Sequence, residues 1–237
     1  MPAFLSIPPL ANERWIVHGF STMAMGSMGL THAADPEKVT ENRRRFARSL
    51  HLRPEAITVA GAVHGAEIAR VDRPVSLVKD VDGLVTDRPG VALFATFADC
   101  LPLIAYDPEQ RAAGLAHAGW RGTELGVAKN LVSALRREYG SRAEDLRIGI
   151  GPGICGSCYE VGPEFADRFP PEVLRPNGSG DKLLLDLVEA NRRQFLEMGV
   201  LPRRIRAHAL CSYESDRLFS HRRQPDGSRF AALVAVR

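Results

Sequence analysis

The sequence predicts a single domain that mixes helices with strands. Short apolar runs of strand length recur along the chain, and stretches with helical spacing stand between them. A chain of 237 residues can also bury a substantial core without disulfides or a partner. With 45% hydrophobic and 25% charged residues, the composition is that of a folded protein rather than a disordered or fibrous one.

Taken in order, the first helix opens at Asp35-Pro36 and runs to about Leu50. Apolar runs at 91–97 and 101–106 read as two buried strands meeting at the break Ala98-Asp99-Cys100. After the turn-like Asp107-Pro108-Glu109-Gln110, a third strand occupies 112–116. It leads into His117-Ala118-Gly119-Trp120-Arg121-Gly122. A helix is placed at 124–139, with Thr123 as N-cap, Leu125, Ala128, Leu131, Val132 and Leu135 at helical spacing, and Gly140 as the C-cap glycine. Further strands are expected at 146–150, 205–210 and 230–236, and a further helix at 184–198 ahead of Gly199. The Pro/Gly-rich stretch 170–180 reads as a loop too short to divide domains, and neither a repeat nor an interdomain linker is present. One domain spanning 1–237 follows.

The first and last of these helices carry an asparagine within the apolar stripe, Asn42 and Asn191. A buried amide must find partners. Two readings stand: each ties down a loop, or both helices face a polar cavity.

Several function classes fall away. The net charge is +3 and the basic residues are scattered, without a basic groove interleaved with aromatics, which argues against a nucleic-acid partner. The opening Met1-Pro2-Ala3-Phe4-Leu5-Ser6-Ile7-Pro8 lacks the basic and long apolar regions of a signal peptide, and no stretch is long enough to span a bilayer. Four cysteines, two of them separated only by Gly156-Ser157, do not suggest a secreted disulfide framework. The expected location is the cytoplasm, without a membrane partner.

Three residues draw attention as chemistry. His64, Cys100 and His117 each end an apolar run among small neighbours, in Ala62-Val63-His64-Gly65-Ala66, Ala98-Asp99-Cys100 and Ala116-His117-Ala118-Gly119. Two imidazoles and a thiolate suit Zn2+, and three protein ligands leave a fourth position open, as in a catalytic site. The same residues also support a metal-free reading, with Cys100 as nucleophile, His117 as its base, and Asp99 or another polar group orienting the imidazole, as in a cysteine hydrolase. Gly119-Trp120-Arg121-Gly122-Thr123 joins a strand to a helix N-terminus, where an anion is favoured and Arg121 can clamp it; alternatively Trp120 packs in the core and Arg121 caps a carbonyl. The pair Cys155-Gly156-Ser157-Cys158 lacks a second such pair and reads as cavity wall or turn.

Together these segments resemble the YfiH-type family, whose members are also described as multicopper polyphenol oxidases or laccase-domain proteins, purine nucleoside phosphorylases and peptidoglycan editing factors. The matching stretches include Glu41-Asn42-Arg43, Val63-His64-Gly65, Asp82-Gly83-Leu84-Val85-Thr86, Ala98-Asp99-Cys100-Leu101-Pro102 and Ala116-His117-Ala118-Gly119-Trp120-Arg121-Gly122. Further along come Cys158-Tyr159-Glu160-Val161-Gly162, Leu185-Asp186-Leu187, Ala190-Asn191, Cys211-Ser212 and Phe219-Ser220-His221-Arg222-Arg223. Departures are Ala62 where Gln is usual, Ser157 where Cys is usual, and a changed N-terminal signature at 21–30.

The resemblance implies an α/β (α+β) YfiH-like layered sandwich, β-sheets flanked by helical layers. It makes His64, Cys100 and His117 zinc ligands, places Asn42, Arg43, Asp99 and Arg121 around the pocket, and gives Asn42, Arg43 and Arg121 to substrate or phosphate and Asp99, Cys100 and Arg121 to catalysis. The implied activity is phosphorolysis of adenosine, inosine and methylthioadenosine, with adenosine deamination. A Cys-His hydrolase, a peptidoglycan-precursor editing factor and a non-catalytic metal-binding module remain alternatives. The expected partners are purine nucleosides and phosphate, in a monomer or small homo-oligomer. The laccase description meets a physical difficulty, because the chain has seven histidines and no His-x-His pair with which to hold four coppers. Cu2+ can substitute for zinc in such a site and give incidental oxidation.

Overall fold

In the computed structural model, residues 4–31, 33–178 and 180–237 are described, so Met1, Pro2 and Ala3 of the N-terminal reading and Ser179 of the 170–180 loop lie outside them. Two six-stranded sheets lie face to face. The first runs in the order β1 (Phe4–Leu5), β2 (Ile16–Ser21), β15 (Phe230–Val236), β7 (Ala92–Phe97), β3 (Ile57–Gly61), β5 (Leu77–Lys79). The second runs β14 (Ile205–Ala207), β10 (Arg147–Ile150), β8 (Leu101–Asp107), β9 (Ala112–Ala118), β6 (Gly83–Thr86), β4 (Ile68–Arg70). A small third sheet joins β11 (Glu160–Val161), β13 (Leu183–Leu185) and β12 (Leu174–Pro176). The helices are α1 (Pro8–Ala11), α2 (Pro36–Ser49), α3 (Trp120–Glu124), α4 (Val127–Tyr139) and α5 (Leu187–Glu197).

The continuous apolar runs have a simple cause: both faces of the central strands are buried. Along β7, Leu93, Ala95 and Phe97 pack between the sheets, whereas Ala92 and Phe94 pack outward with Phe46 and Ala47 of α2. Along β9, Ala113 and Leu115 face the intersheet layer, and Ala112, Ala116 and Ala118 face α4 and α5 with Leu131, Leu135 and Phe195. The order of layers is therefore α2, first sheet, second sheet, then α4 with α5. This is the α/β layered sandwich with helices on both outer faces.

Four boundaries differ from expectation. The helix placed at 124–139 is two helices, because Gly126 adopts a left-handed φ of 82° and starts α4 afresh. Thr123 is consequently inside α3 rather than an N-cap. Gly122 lets α3 pack close to the chain at residue 65, since a Cβ at 122 would stand 2.6 Å from Gly65 O. The helix placed at 184–198 begins only at Leu187, where Asp186 caps it by accepting from Glu189 N–H at 2.9 Å, and the preceding leucines form β13. The 170–180 loop contains a short helical turn at Pro171–Val173 and then β12, paired with β13. The strand expected at 205–210 stops at Ala207, and His208 turns its ring to accept from Leu210 N–H at 3.1 Å.

Both in-register asparagines act as ties. Asn42 Nδ2 donates to Ser27 O at 3.0 Å, holding the segment before α2. Asn191 Nδ2 donates to Thr123 Oγ1 at 2.9 Å and to Leu187 O at 2.8 Å, locking α5 to α3.

Candidate metal centre

The β8–β9 register places Pro102 opposite His117 and Leu101 opposite Ala118, so Cys100, one residue before β8, comes beside the His117 imidazole. His117 lies within β9, on the intersheet side, with its ring 5.4 Å from that of Phe97. His64 comes from the loop after β3 and approaches from solvent, its ring edge-on to His117 at 5.1 Å. One donor atom from each of His64, Cys100 and His117 lies within 4.8 Å of the others. Two site residues hold a left-handed backbone, His64 at φ 62° and Asp99 at φ 83°. Non-glycine residues adopt that region at a cost of about 1–2 kcal/mol, and it is enriched where a side chain must be aimed.

Asp82 governs the geometry. Its fully buried carboxylate accepts from His117 Nδ1 at 3.2 Å through Oδ1, and from the N–H groups of Gly65 (2.7 Å) and Val63 (3.2 Å) through Oδ2. One side chain thus fixes the His117 ring and the loop bearing His64. With Nδ1–H committed to Asp82, Nε2 is the nitrogen free to face Cys100, an arrangement typical of metal-ligating histidines. Burial works against charge on Asp82, but the hydrogen bonds from His117 and Gly65 outweigh it and keep the carboxyl below its usual range.

The same balance governs the sulfur. Burial raises the Cys100 pKa, yet the His117 charge and the hydrogen bonds from His117 and His64 bring the thiol down to about 6. Burial likewise opposes a charged His117, but the Cys100 thiolate and Asp82 lift it to about 9. Without a metal, both shifts favour a thiolate beside an imidazolium near neutral pH.

The donor set fits a metal ion in one further respect. Gly119 backs the three residues, and a Cβ there would stand 2.9 Å from Cys100 Sγ and 3.4 Å from His64 Cδ2. The space that a side chain would fill is left open beside the three donors. Among the described residues, this is the one group of metal donors that contains histidine.

The site opens on a cavity of about 800 Å3, whose lining includes Arg43, Asp99, Trp120, Arg121, Tyr159 and Arg222. Arg121 is exposed, with its guanidinium 4.2 Å from the Trp120 ring centre, and the Trp120 ring leans on Phe165 at 5.0 Å. Arg121 is the second residue of α3, which has only five residues, so the expected anion attraction of a helix N-terminus has little dipole behind it and would rest on the guanidinium. Arg43 donates to Met28 O at 2.6 and 2.8 Å and stacks over Phe94, and burial lowers it to about 10. Asn42 lies behind Arg43, occupied by its bond to Ser27, and is not among the lining residues. The Asp99 carboxylate accepts from Ser212 Oγ and from Arg222 N–H, each at 2.7 Å, tying the break before β8 to the C-terminal segment. It does not touch His117; Asp82 occupies the orienting position. Burial pushes the Tyr159 phenol up to about 12, so it stays protonated.

Sequence alone assigns no role to Asp82, Tyr159 or Arg222. Only their membership in the matching stretches Asp82-Gly83, Cys158-Tyr159-Glu160 and Ser220-His221-Arg222 marks them.

Comparison with known proteins places this architecture. A family described as multi-copper polyphenol oxidoreductase laccase matches residues 16–237. The chain belongs to that family. Its laccase-family relatives include proteins named purine nucleoside phosphorylase. The YlmD of Geobacillus stearothermophilus is 38% identical over 83% of this chain and 78% of its own length, and the Deinococcus radiodurans protein is 35% identical over 93% and 88%. Solved structures in the family agree in fold. The YfiH protein of Bacillus licheniformis superposes with a TM-score of 0.91 at 29% identity over 100% of this chain and 97% of that one, and the G. stearothermophilus YlmD structure gives 0.91 at 34% over the same shares. No helix among the described residues is long and apolar enough to cross a membrane.

Proposed function

We propose that this chain is a purine nucleoside phosphorylase that cleaves adenosine, inosine and methylthioadenosine with phosphate and also deaminates adenosine, with Zn2+ held by His64, Cys100 and His117. The observation that carries the reading is the convergence of an open three-donor group and several guanidiniums on one cavity of nucleoside size. The names of the 38% and 35% identical relatives support the choice of substrate class.

When bound, the ion supplies a Lewis acid with a free fourth position. The rest of the work falls to side chains. Arg121 and Arg43 bind phosphate through charge-assisted, fork-shaped hydrogen bonds, and Arg43 is pre-aimed by its bonds to Met28 O. Trp120 and Tyr159 offer aromatic surface to the base. The protonated Tyr159 phenol can donate to a purine nitrogen as the glycosidic bond breaks. Asp99 has one bond on each oxygen and retains further lone pairs for a proton in deamination, while its present bonds brace the wall. Copper in place of zinc would account for incidental oxidation.

A second reading has its own observation: Cys100, His117 and Asp82 stand in the nucleophile, base and orienting positions of a cysteine hydrolase. Incubation with adenosine, with and without phosphate, separates the two. Phosphate-dependent adenine and ribose 1-phosphate support the proposal. Absence of product in both conditions, with metal present, rejects it.

A further inference from the structure

A second group of metal donors lies outside this site. Cys155, Cys158, Cys211 and Glu214 each offer one ligand atom, and those atoms all lie within 4.8 Å of one another. Two segments build the group. Cys155-Gly156-Ser157-Cys158 folds into a turn in which Cys155 O accepts from the N–H groups of Cys158 (3.0 Å) and Tyr159 (3.1 Å). Cys211 and Glu214 repeat the same spacing on Cys211-Ser212-Tyr213-Glu214.

The backbone holds the two segments together without help from a metal. Gly153 and Cys211 form a parallel bridge, Ser212 N–H donates to Gly153 O at 2.9 Å, and Cys155 N–H donates to Cys211 Sγ at 3.3 Å. Guanidiniums flank both turns: Arg175 donates to Gly156 O at 3.1 Å, and Arg223 donates to the carbonyls of Ser212, Tyr213 and Ser215 at 2.8, 2.9 and 2.6 Å. The Cys-x-x-Cys pair, which by itself lacks partners, meets its missing donors from the far end of the chain.

We propose that Cys155, Cys158, Cys211 and Glu214 bind a second Zn2+ ion in a closed, structural site. Three thiolates and one carboxylate fill the four tetrahedral positions, leaving none for substrate, in contrast to the open His64–Cys100–His117 group. Binding releases the three thiol protons to solvent and leaves an excess of negative charge, beside which Arg175 and Arg223 are fixed. The ion staples the wall of the cavity, because Ser212 donates to Asp99 and the first turn runs directly into Tyr159.

The test is zinc content after reconstitution of the reduced full chain and desalting. Wild type should retain two equivalents, Cys158→Ser and Cys211→Ser one, and His117→Ala one, lost from the other site. Separate loss in the two sets keeps this proposal distinguishable from the catalytic one. If the cysteine variants fold poorly, Glu214→Gln at an exposed position should give up its second equivalent to a chelator at a concentration that leaves wild type loaded. In the cobalt form, His117→Ala should keep most of the thiolate-to-metal charge-transfer absorption and Cys158→Ser should lose most of it. A single equivalent in wild type that Cys158→Ser leaves unchanged would overturn the proposal. So would a disulfide among Cys155, Cys158 and Cys211 in the zinc-reconstituted protein.

Discussion

The Asp82 carboxylate and the His117 imidazole form a buried pair, Oδ1 to Nδ1 at 3.2 Å, and the other carboxylate oxygen holds the N–H groups of Gly65 and Val63 beside His64. Two candidate metal donors carried by distant parts of the chain, His64 and His117, therefore share one support. Asp82→Ala should lower zinc affinity about 10–100-fold, as removal of a ligand's supporting partner does elsewhere. Chelator competition measures it; unchanged affinity would remove Asp82 from the account.

Gly119 tests the shape of the site rather than its ligands. Its φ of −80° suits any residue, so Gly119→Ala should fold, but the added Cβ would stand 2.9 Å from Cys100 Sγ. We expect a native circular dichroism spectrum with loss of activity and of the zinc held by His64, Cys100 and His117, and of that equivalent alone. A fully loaded, active variant would show that the space behind Cys100 is not needed.

The pH behaviour of the metal-free protein follows from the coupled sulfur and imidazole. A depressed thiol is reactive above its pKa, so alkylation of Cys100 should rise through about pH 6 and level off, whereas an ordinary thiol rises through 9.0. His117, lifted to about 9, must give up a proton to bind metal, so zinc affinity should increase as pH rises towards 9. Mass-spectrometric alkylation rates and pH-resolved zinc titrations check the two signs.

These relationships divide what the sequence shows from what it hides. The strands of β7, β8, β9 and β15 are legible as apolar runs, and the α2 start is legible from Asp35-Pro36. Which sheet each strand joins is not, because burial on both faces erases the alternation that would reveal an outer face. The break between α3 and α4 was hidden for a different reason: the apolar spacing of Leu131, Val132 and Leu135 continues helical on one side, and Gly126 alone marks the interruption. The three donors were visible as residue types at run ends. Asp82 was not, since an Asp-Gly pair reads as a turn and its partners lie 17 to 35 positions away. Glu214 is hidden in a similar way, as an exposed acid beside Cys211 whose other neighbours, Cys155 and Cys158, come from another loop.

Arg121, the proposed phosphate clamp, offers a way to tell the two substrates apart. Loss of a charge-assisted hydrogen bond costs about 1.5–3 kcal/mol, so Arg121→Ala should raise the KM for phosphate about tenfold or more while changing that for nucleoside far less. Steady-state kinetics with each substrate varied in turn checks it. Equal changes in both would assign Arg121 to the wall rather than to the anion.

Asn191 carries a stability prediction. Its fully buried amide bonds Thr123 Oγ1 and Leu187 O, so Asn191→Ala should cost about 1–3 kcal/mol through lost bonds and a cavity at the α3–α5 contact. The urea midpoint reports the change, and a shift within error would show that α5 is held by its apolar face alone.

The most direct test of the central claim is ribose 1-phosphate formation from adenosine and phosphate, with zinc content measured on the same sample, for wild type and Cys100→Ala. Zinc-loaded wild type should form product, and Cys100→Ala should show neither product nor metal at the His64–Cys100–His117 group. Full phosphorolysis by Cys100→Ala, or by wild type stripped of metal, would contradict the claim.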